Sequence, residues 1–329
     1  MRDLTTFLLW LVLVAVSSVV LEGQLNRLGA RLRWTEGLQG IVTALAADAP
    51  EISTAIAALA SGNKELGLGV VIGSNAFNLA ALLGLAAVVA GEIRVQPRAF
   101  ALNAIVAAVV TAVATATVLQ VVTPLVSTIA LAVVLVPYVT LSALRRDQIE
   151  ALPIFASARH LALLAIDEVA KDERQAESRR ASLIDVLSLV PSLASIVIGS
   201  VQMVHLAIPL AARVGIPHRI VGTLILAGVT GLPNAVAAVR LARRGRGSAV
   251  VSEALNSNTI NVAVGICVPG LIVGLGPVGS NMAKATWGLA VLTVIALAMI
   301  GFHLRLRRLG GTAIIVLYLV FAAMLLVGG

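Results

Sequence analysis

The chain has 329 residues, 59% hydrophobic and only 12% charged, with a mean hydropathy of +1.01. Soluble domains are nearer a quarter charged, so this is the composition of a polytopic membrane protein. The net charge of +8 comes with only 3% aromatic residues, too few for the stacking platforms of single-strand nucleic-acid binders. Cys267 is the single cysteine, which excludes an intramolecular disulfide and thiolate metal clusters. The four histidines are scattered without a zinc-binding HExxH pairing.

About 20 apolar residues suffice to cross a bilayer, and ten stretches qualify: 4–22, 36–60, 67–90, 100–118, 122–144, 182–210, 218–240, 248–273, 283–302 and 311–328. The first lacks a basic start and a clear cleavage site, so it is expected to stay as a helix and not to leave as a signal peptide. The second and third carry groups that hydrocarbon rejects: Asp48, Pro50 and Glu51, then Gly73, Ser74, Asn75 and Asn78. Pro50 breaks the helical ladder and exposes carbonyls beside two carboxyl groups. Irregular backbone and ionisable groups at membrane depth face a cavity or a pathway, which points to a cation site. Between the fifth and sixth spans, 145–181 is polar and contains the amphipathic run 158–180. The expected organisation is therefore a five-helix half at 1–144, a linker at 145–181 and a second five-helix half at 182–329.

Nineteen of the 24 lysines and arginines fall in loops that share one side of the membrane, including the linker. Arg2, Lys64, Arg213, Arg219 and Lys284 make up the rest. The positive-inside bias puts both termini outside and the linker in the cytoplasm, so the basic excess is topogenic and needs no nucleic acid. An odd number of spans per half inverts the second half, and the sequence repeats accordingly. The intervals from Glu51 to Asn234, Ser74 to Ser257 and Asn78 to Asn261 are all 183 residues. Helix packing by small residues would explain the glycines. It does not explain polar groups beside Pro50 and Pro233 at a constant interval.

At these residues the chain resembles the cation/calcium exchanger superfamily, of the sodium–calcium exchanger type. The first repeat reads Ala46-Ala47-Asp48-Ala49-Pro50-Glu51, then Gly69 to Asn78 with Gly73-Ser74-Asn75-Ala76-Phe77-Asn78. The second, more degenerate, reads Val229-Thr230-Gly231-Leu232-Pro233-Asn234, then Ser252 to Asn261. The resemblance implies an all-α polytopic fold with ten transmembrane helices in two inverted five-helix repeats with broken core helices. It also implies a midplane site and sliding first and sixth helices. Glu51, Ser74, Asn78, Thr230, Ser257 and Asn261 fall on family ligand positions. Asn234 stands where the family has an acid, Asn261 likewise replaces an acidic position, and Asp48 is an acid where the family has none.

From the residues themselves, Asp48 and Glu51 are three apart, one face of an intact helix, and Glu253, Ser257 and Asn261 share one face at spacings of four. Glu253 is also close enough to the cytoplasmic loop to be simply solvated. Calcium takes six to eight oxygens including carboxylates; a buried carboxyl holds its proton unless a cation is near, which keeps proton coupling open. The expectation is a secondary active antiporter, not an enzyme. It would exchange calcium against sodium by alternating access, with metal ligands Glu51, Asp48, Ser74, Asn78, Thr230, Asn234, Glu253, Ser257 and Asn261. It would need no cofactor, and its partners would be inorganic cations and the lipid bilayer. The alternatives are proton-coupled or monovalent exchange on the same fold, and a non-transporting membrane scaffold or sensor. A bacterial-type inner membrane is expected; the oligomeric state is open.

Overall fold

The computed structural model describes residues 2–144, 146–151 and 183–327; the amphipathic run expected at 158–180 lies outside the described residues. The first half contains α1 (Arg2–Leu32), α2 (Glu36–Ala47), α3 (Ala49–Ala60), α4 (Lys64–Ala90), α5 (Pro97–Val118) and α6 (Pro124–Ala143). After a short α7 (Arg146–Glu150) and α8 (Leu183–Leu187) come α9 (Leu189–Arg213), α10 (His218–Thr230), α11 (Leu232–Arg243), α12 (Gly247–Val273), α13 (Ser280–Gly301) and α14 (Arg308–Val327). Among the described residues eight helices are long and apolar enough to span a membrane, or ten spans when α2/α3 and α10/α11 each count as one. The molecule is an integral membrane protein of two inverted repeats.

Both broken spans bend at matched positions. The axis turns by 54° between α2 and α3 and by 46° between α10 and α11. Asp48 and Gly231 sit at the two breaks and are themselves 183 residues apart. Each break is followed by proline in the first turn, Pro50 and Pro233. There proline suits its own helix, but it has no N–H to return to the turn before. The ladder therefore stops where the sequence places its polar groups.

In lipid there is little hydrophobic force between helices, so close packing and hydrogen bonds hold them. Helices α4 and α10 cross with their backbones in contact. A Cβ on Gly73 would lie 2.0 Å from the Thr223 carbonyl oxygen, and one on Gly222 would lie 2.3 Å from that of Leu66. Only glycine permits that approach. Helices α1 and α9 pack along each other; Asp3–Arg213 (2.6 Å) joins them at one end, and at the other Arg27–Asp185 (2.7 Å) joins α1 to the short α8 that leads into α9. The outer faces of α1 and α6 expose Leu9, Val12, Ile129 and Val133, as lipid-facing surfaces do.

Two features depart from the sequence expectation. Helix α1 runs ten residues past the expected Glu22 boundary, because Gln24 and Arg27 find partners in Ser188 and Asp185. The fold is also not purely helical: β1 (Glu92–Arg94) pairs antiparallel with β2 (Arg305–Arg307), with Ile93 opposite Leu306. This ribbon joins the loop after α4 to the loop before α14. The Arg94 guanidinium, and then Arg305 and Arg307, hold the Glu92 carboxyl below its usual range.

Candidate cation site

The site is built where the α2/α3 break meets α4, α11 and α12. Pro50 leaves the carbonyls of the preceding turn without their usual donor, and helix α1 covers them: Ser18 Oγ lies 3.3 Å from both the Ala46 and Ala47 oxygens. On the other side of the break the Pro50 carbonyl accepts from Thr54 Oγ1 (2.6 Å) and from Ser200 Oγ of α9 (3.4 Å). The two long paired helices thus press hydroxyls onto the broken backbone.

Asp48 and Glu51 both have 0% solvent exposure. Asp48 Oδ1 accepts from Asn234 Nδ2 at 3.0 Å and from Ser257 Oγ at 2.7 Å, partners 186 and 209 residues away. Ser257 has one proton and gives it to Asp48, so its lone pair accepts from Asn78 Nδ2 (2.7 Å). The same Asn78 amide reaches Asn258 Oδ1 at 3.1 Å. That polarity leaves the Asn78 oxygen free. Close by, Asn75 Nδ2 donates to the Asn258 carbonyl and Asn258 Nδ2 to the Asn75 carbonyl, each at 3.1 Å. These two residues are repeat mates, so this reciprocal pair marks the pseudo-two-fold axis.

Besides Gln24 Oε1 and Glu253 Oε2, seven buried side-chain oxygens on the break and the two Ser-Asn-x-x-Asn segments have no hydrogen-bond partner: Asp48 Oδ2, both Glu51 oxygens, Ser74 Oγ, and the Oδ1 atoms of Asn75, Asn78 and Asn261. An unpartnered buried acceptor costs about 1–3 kcal/mol, more when charged, so these oxygens suit a cation or bound water. All seven are acceptors on hard oxygen groups, the donor chemistry of an alkali or alkaline-earth cation. No hydrogen bond or ion pair joins Asp48 or Glu51 to a basic side chain among the described residues.

The remaining expected ligands are placed differently. Thr230 is buried, but its hydroxyl donates to the Leu226 carbonyl of its own helix at 2.8 Å. Asn234 serves as a donor to Asp48. Glu253 is only half-buried and lies within electrostatic reach of Glu22, Asp48 and Arg246. It does not join Asp48 and Glu51 in a three-acid group; no group of three or more metal-binding acid, histidine or cysteine side chains occurs among the described residues. The reason is axial: four helical residues advance about 6 Å, so one shared face still separates Glu253 from Asn261 by two turns.

Asn75 and Asn258 are site residues not singled out as ligands from the sequence, although the 183-residue interval contains them. A second belt, which no motif announces, pins the outer face of α12: Asn103 Nδ2 donates to Ser252 Oγ (2.8 Å), and Tyr138 OH lies 3.0 Å from Asn256 Oδ1 and 3.2 Å from Asn103 Oδ1. Immediately after Asn78 and just past Asn261 the helices widen to π-helical turns, Leu79–Leu85 and Ala263–Cys267, a distortion frequent at functional sites.

A family model described as sodium/calcium exchanger protein matches residues 3–144 and 184–327. Sodium/calcium exchanger MaX1 of Methanosarcina acetivorans is 30% identical over 141 residues, 43% of this chain and 40% of that protein. Human sodium/potassium/calcium exchanger 4 is 35% identical over 135 residues, 38% of this chain and 22% of that protein. The match thus spans well under two thirds of either relative. Among solved structures, the H+/Ca2+ exchanger CAX aligns over 99% of this chain and 86% of its own, with a TM-score of 0.75 at 16% identity. The sodium–calcium exchanger NCX_Mj aligns over 98% of both chains, with a TM-score of 0.65 at 18% identity. These likenesses show a shared fold.

Proposed function

The chain belongs to the sodium/calcium exchanger protein family, and on that premise we propose that it is a secondary active cation antiporter, exchanging calcium against sodium at the α2/α3 break. The observation that carries this reading is the set of seven unpartnered buried oxygens around two carboxylates. They supply the six to eight oxygens that calcium takes. The names of the relatives, which speak of sodium, potassium and calcium, agree with it.

Alternating access follows from charge. A bare site leaves the carboxyls of Asp48 and Glu51 with no basic partner, so each either stays ionised at a cost of several kcal/mol or takes up a proton. Sliding of α1 and α9 across an empty site would seal those charges away from water, so the empty protein resists passage. A bound cation removes the penalty, and only loaded states interconvert readily. The long packed seam between α1 and α9 would let the two move together, with Ser18 and Ser200 exchanging their carbonyl contacts as they pass. By the positive-inside rule the lysine and arginine bias favours both termini outside and the linker in the cytoplasm, and a bacterial-type inner membrane is proposed from the short linker.

A second reading keeps the site and changes the counter-ion to a proton. Asn234 and Asn261 are neutral, so the site has two acids only, and a solved structure of like fold is named an H+/Ca2+ exchanger. One experiment separates the readings. Purified protein in proteoliposomes is given radioactive calcium under an outward sodium gradient, an outward proton gradient or no gradient, beside Glu51→Gln. Sodium-driven uptake lost in the variant supports sodium–calcium exchange, and uptake driven only by protons selects the second reading. Uptake unaffected by Glu51→Gln would sink both.

A further inference from the structure

Repeat symmetry and the hydrogen bonds of the site disagree, and the disagreement is informative. One half of the site is joined by hydrogen bonds, leaving only Asp48 Oδ2 and Asn78 Oδ1 unpartnered: Asp48 Oδ1 takes the Asn234 amide and the Ser257 hydroxyl, and Asn78 donates to Ser257 and Asn258. Moving each residue by the 183-residue interval gives the other half. The mates of Asn234, Ser257, Asn78 and Asn258 are Glu51, Ser74, Asn261 and Asn75. The mate of Asp48 is Gly231.

No side chain takes the place of Asp48 in that second half, and these of its atoms are unpartnered: both Glu51 oxygens, Ser74 Oγ, Asn75 Oδ1 and both polar atoms of the Asn261 amide. Glu51, Ser74 and Asn261 are 0% exposed and Asn75 is 3% exposed, so bulk water does not stand in. Nor is there room for an acid at 231. A Cβ there would lie 2.8 Å from Phe77 Cδ1, and Tyr318 holds that ring edge-on with centroids 6.2 Å apart.

We propose that the site is single and lopsided. The cation binds in the half lined by Glu51, Ser74, Asn75 and Asn261, while the Asp48 carboxylate permanently fills the mate half and offers the ion only Oδ2 and its charge. Asn234 and Ser257 are then positioning residues that hold Asp48, not ligands. Phe77 keeps the arrangement from reverting to symmetry. This rests on the cation-site reading above and adds which half of it takes the ion.

The repeat mates Ser74 and Ser257 provide the test, because two identical residues are assigned opposite roles. Thermal unfolding of the purified full chain in detergent is followed without divalent ions and across a calcium titration, for wild type, Ser74→Ala and Ser257→Ala. In Ser74→Ala the calcium-free midpoint stays at the wild-type value, since no partner is lost, and the apparent calcium Kd rises at least tenfold. In Ser257→Ala the calcium-free midpoint falls, since Asp48 loses a donor, and the Kd changes less than threefold. Equal weakening of calcium binding in the two variants would overturn the lopsided site and leave the antiporter standing. A wild-type protein that calcium does not stabilise at all would overturn both.

Discussion

Replacing Asp48 by asparagine removes the charge and puts an NH2 donor where Oδ2 faces the ion, while its amide oxygen still accepts from Asn234 and Ser257. Two effects of opposite sign follow. Without an ion, the variant no longer buries an unpaired charge in a fully enclosed position, so its calcium-free midpoint rises. With an ion, it loses a charge–charge attraction of about 4 kcal/mol per unit pair at 4 Å and an effective dielectric near 20. Allowing for partial offset by desolvation, an affinity loss of at least ~100-fold is expected, about 2.7 kcal/mol. At a calcium concentration 100 times the wild-type Kd, wild type gains about 2.7 kcal/mol of stability from the ion, whereas a variant binding 100-fold more weakly gains about 0.4 kcal/mol. Differential scanning fluorimetry in detergent resolves that difference, which corresponds to several degrees. An Asp48→Asn protein with the full wild-type calcium-dependent rise would refute the reasoning, because it would remove Asp48's charge from the site.

Other perturbations test other links. Glu51→Gln keeps the shape of a side chain with two unpartnered oxygens and removes its charge; calcium-driven exchange in proteoliposomes is expected to fall at least ~100-fold, on the same Coulomb estimate, with the purified protein still monodisperse by size exclusion. Gly73→Ala inserts a methyl 2.0 Å from a backbone oxygen, which forces α4 and α10 apart; overpacking of this kind costs about 1–3 kcal/mol or more, read as a lowered unfolding midpoint and reduced yield from membranes. Tyr138→Phe removes the hydroxyl shared by Asn103 and Asn256 and is expected to cost about 1 kcal/mol, while the calcium Kd stays close to wild type because that belt lies on the far face of α12.

Much of this architecture is legible in the residues because membrane spans are long, apolar and punctuated. The ten stretches, the prolines after the two breaks and the 183-residue interval all survive folding, and the reciprocal Asn75–Asn258 bonds are that interval made physical. What the sequence hides is partnership across the repeats. Asp48 is an acid beside a proline until Asn234 and Ser257, some two hundred residues away, take one of its oxygens. Thr230 matches a ligand position by type, yet a threonine in a helix has its own backbone carbonyl within reach, and that local bond wins. Glu253 lies on the expected face, but too far along the axis. The β1–β2 ribbon escapes pattern reading altogether, because strands of three residues rich in arginine carry no alternation to detect.

Interconversion of the loaded site alone between its two access states can be followed by tracer exchange at equilibrium. Proteoliposomes preloaded with radioactive calcium are diluted into medium with unlabelled calcium or into medium with an inert, impermeant cation, with the membrane potential clamped at zero. In medium alkaline enough to keep both carboxyls ionised, alternating access at the Asp48–Glu51 site predicts label release at least ~10-fold faster into calcium, since an empty site then buries two charges at a cost of several kcal/mol. Equal release into both media would contradict it, for the ion would then be leaving by a path that does not require a loaded return.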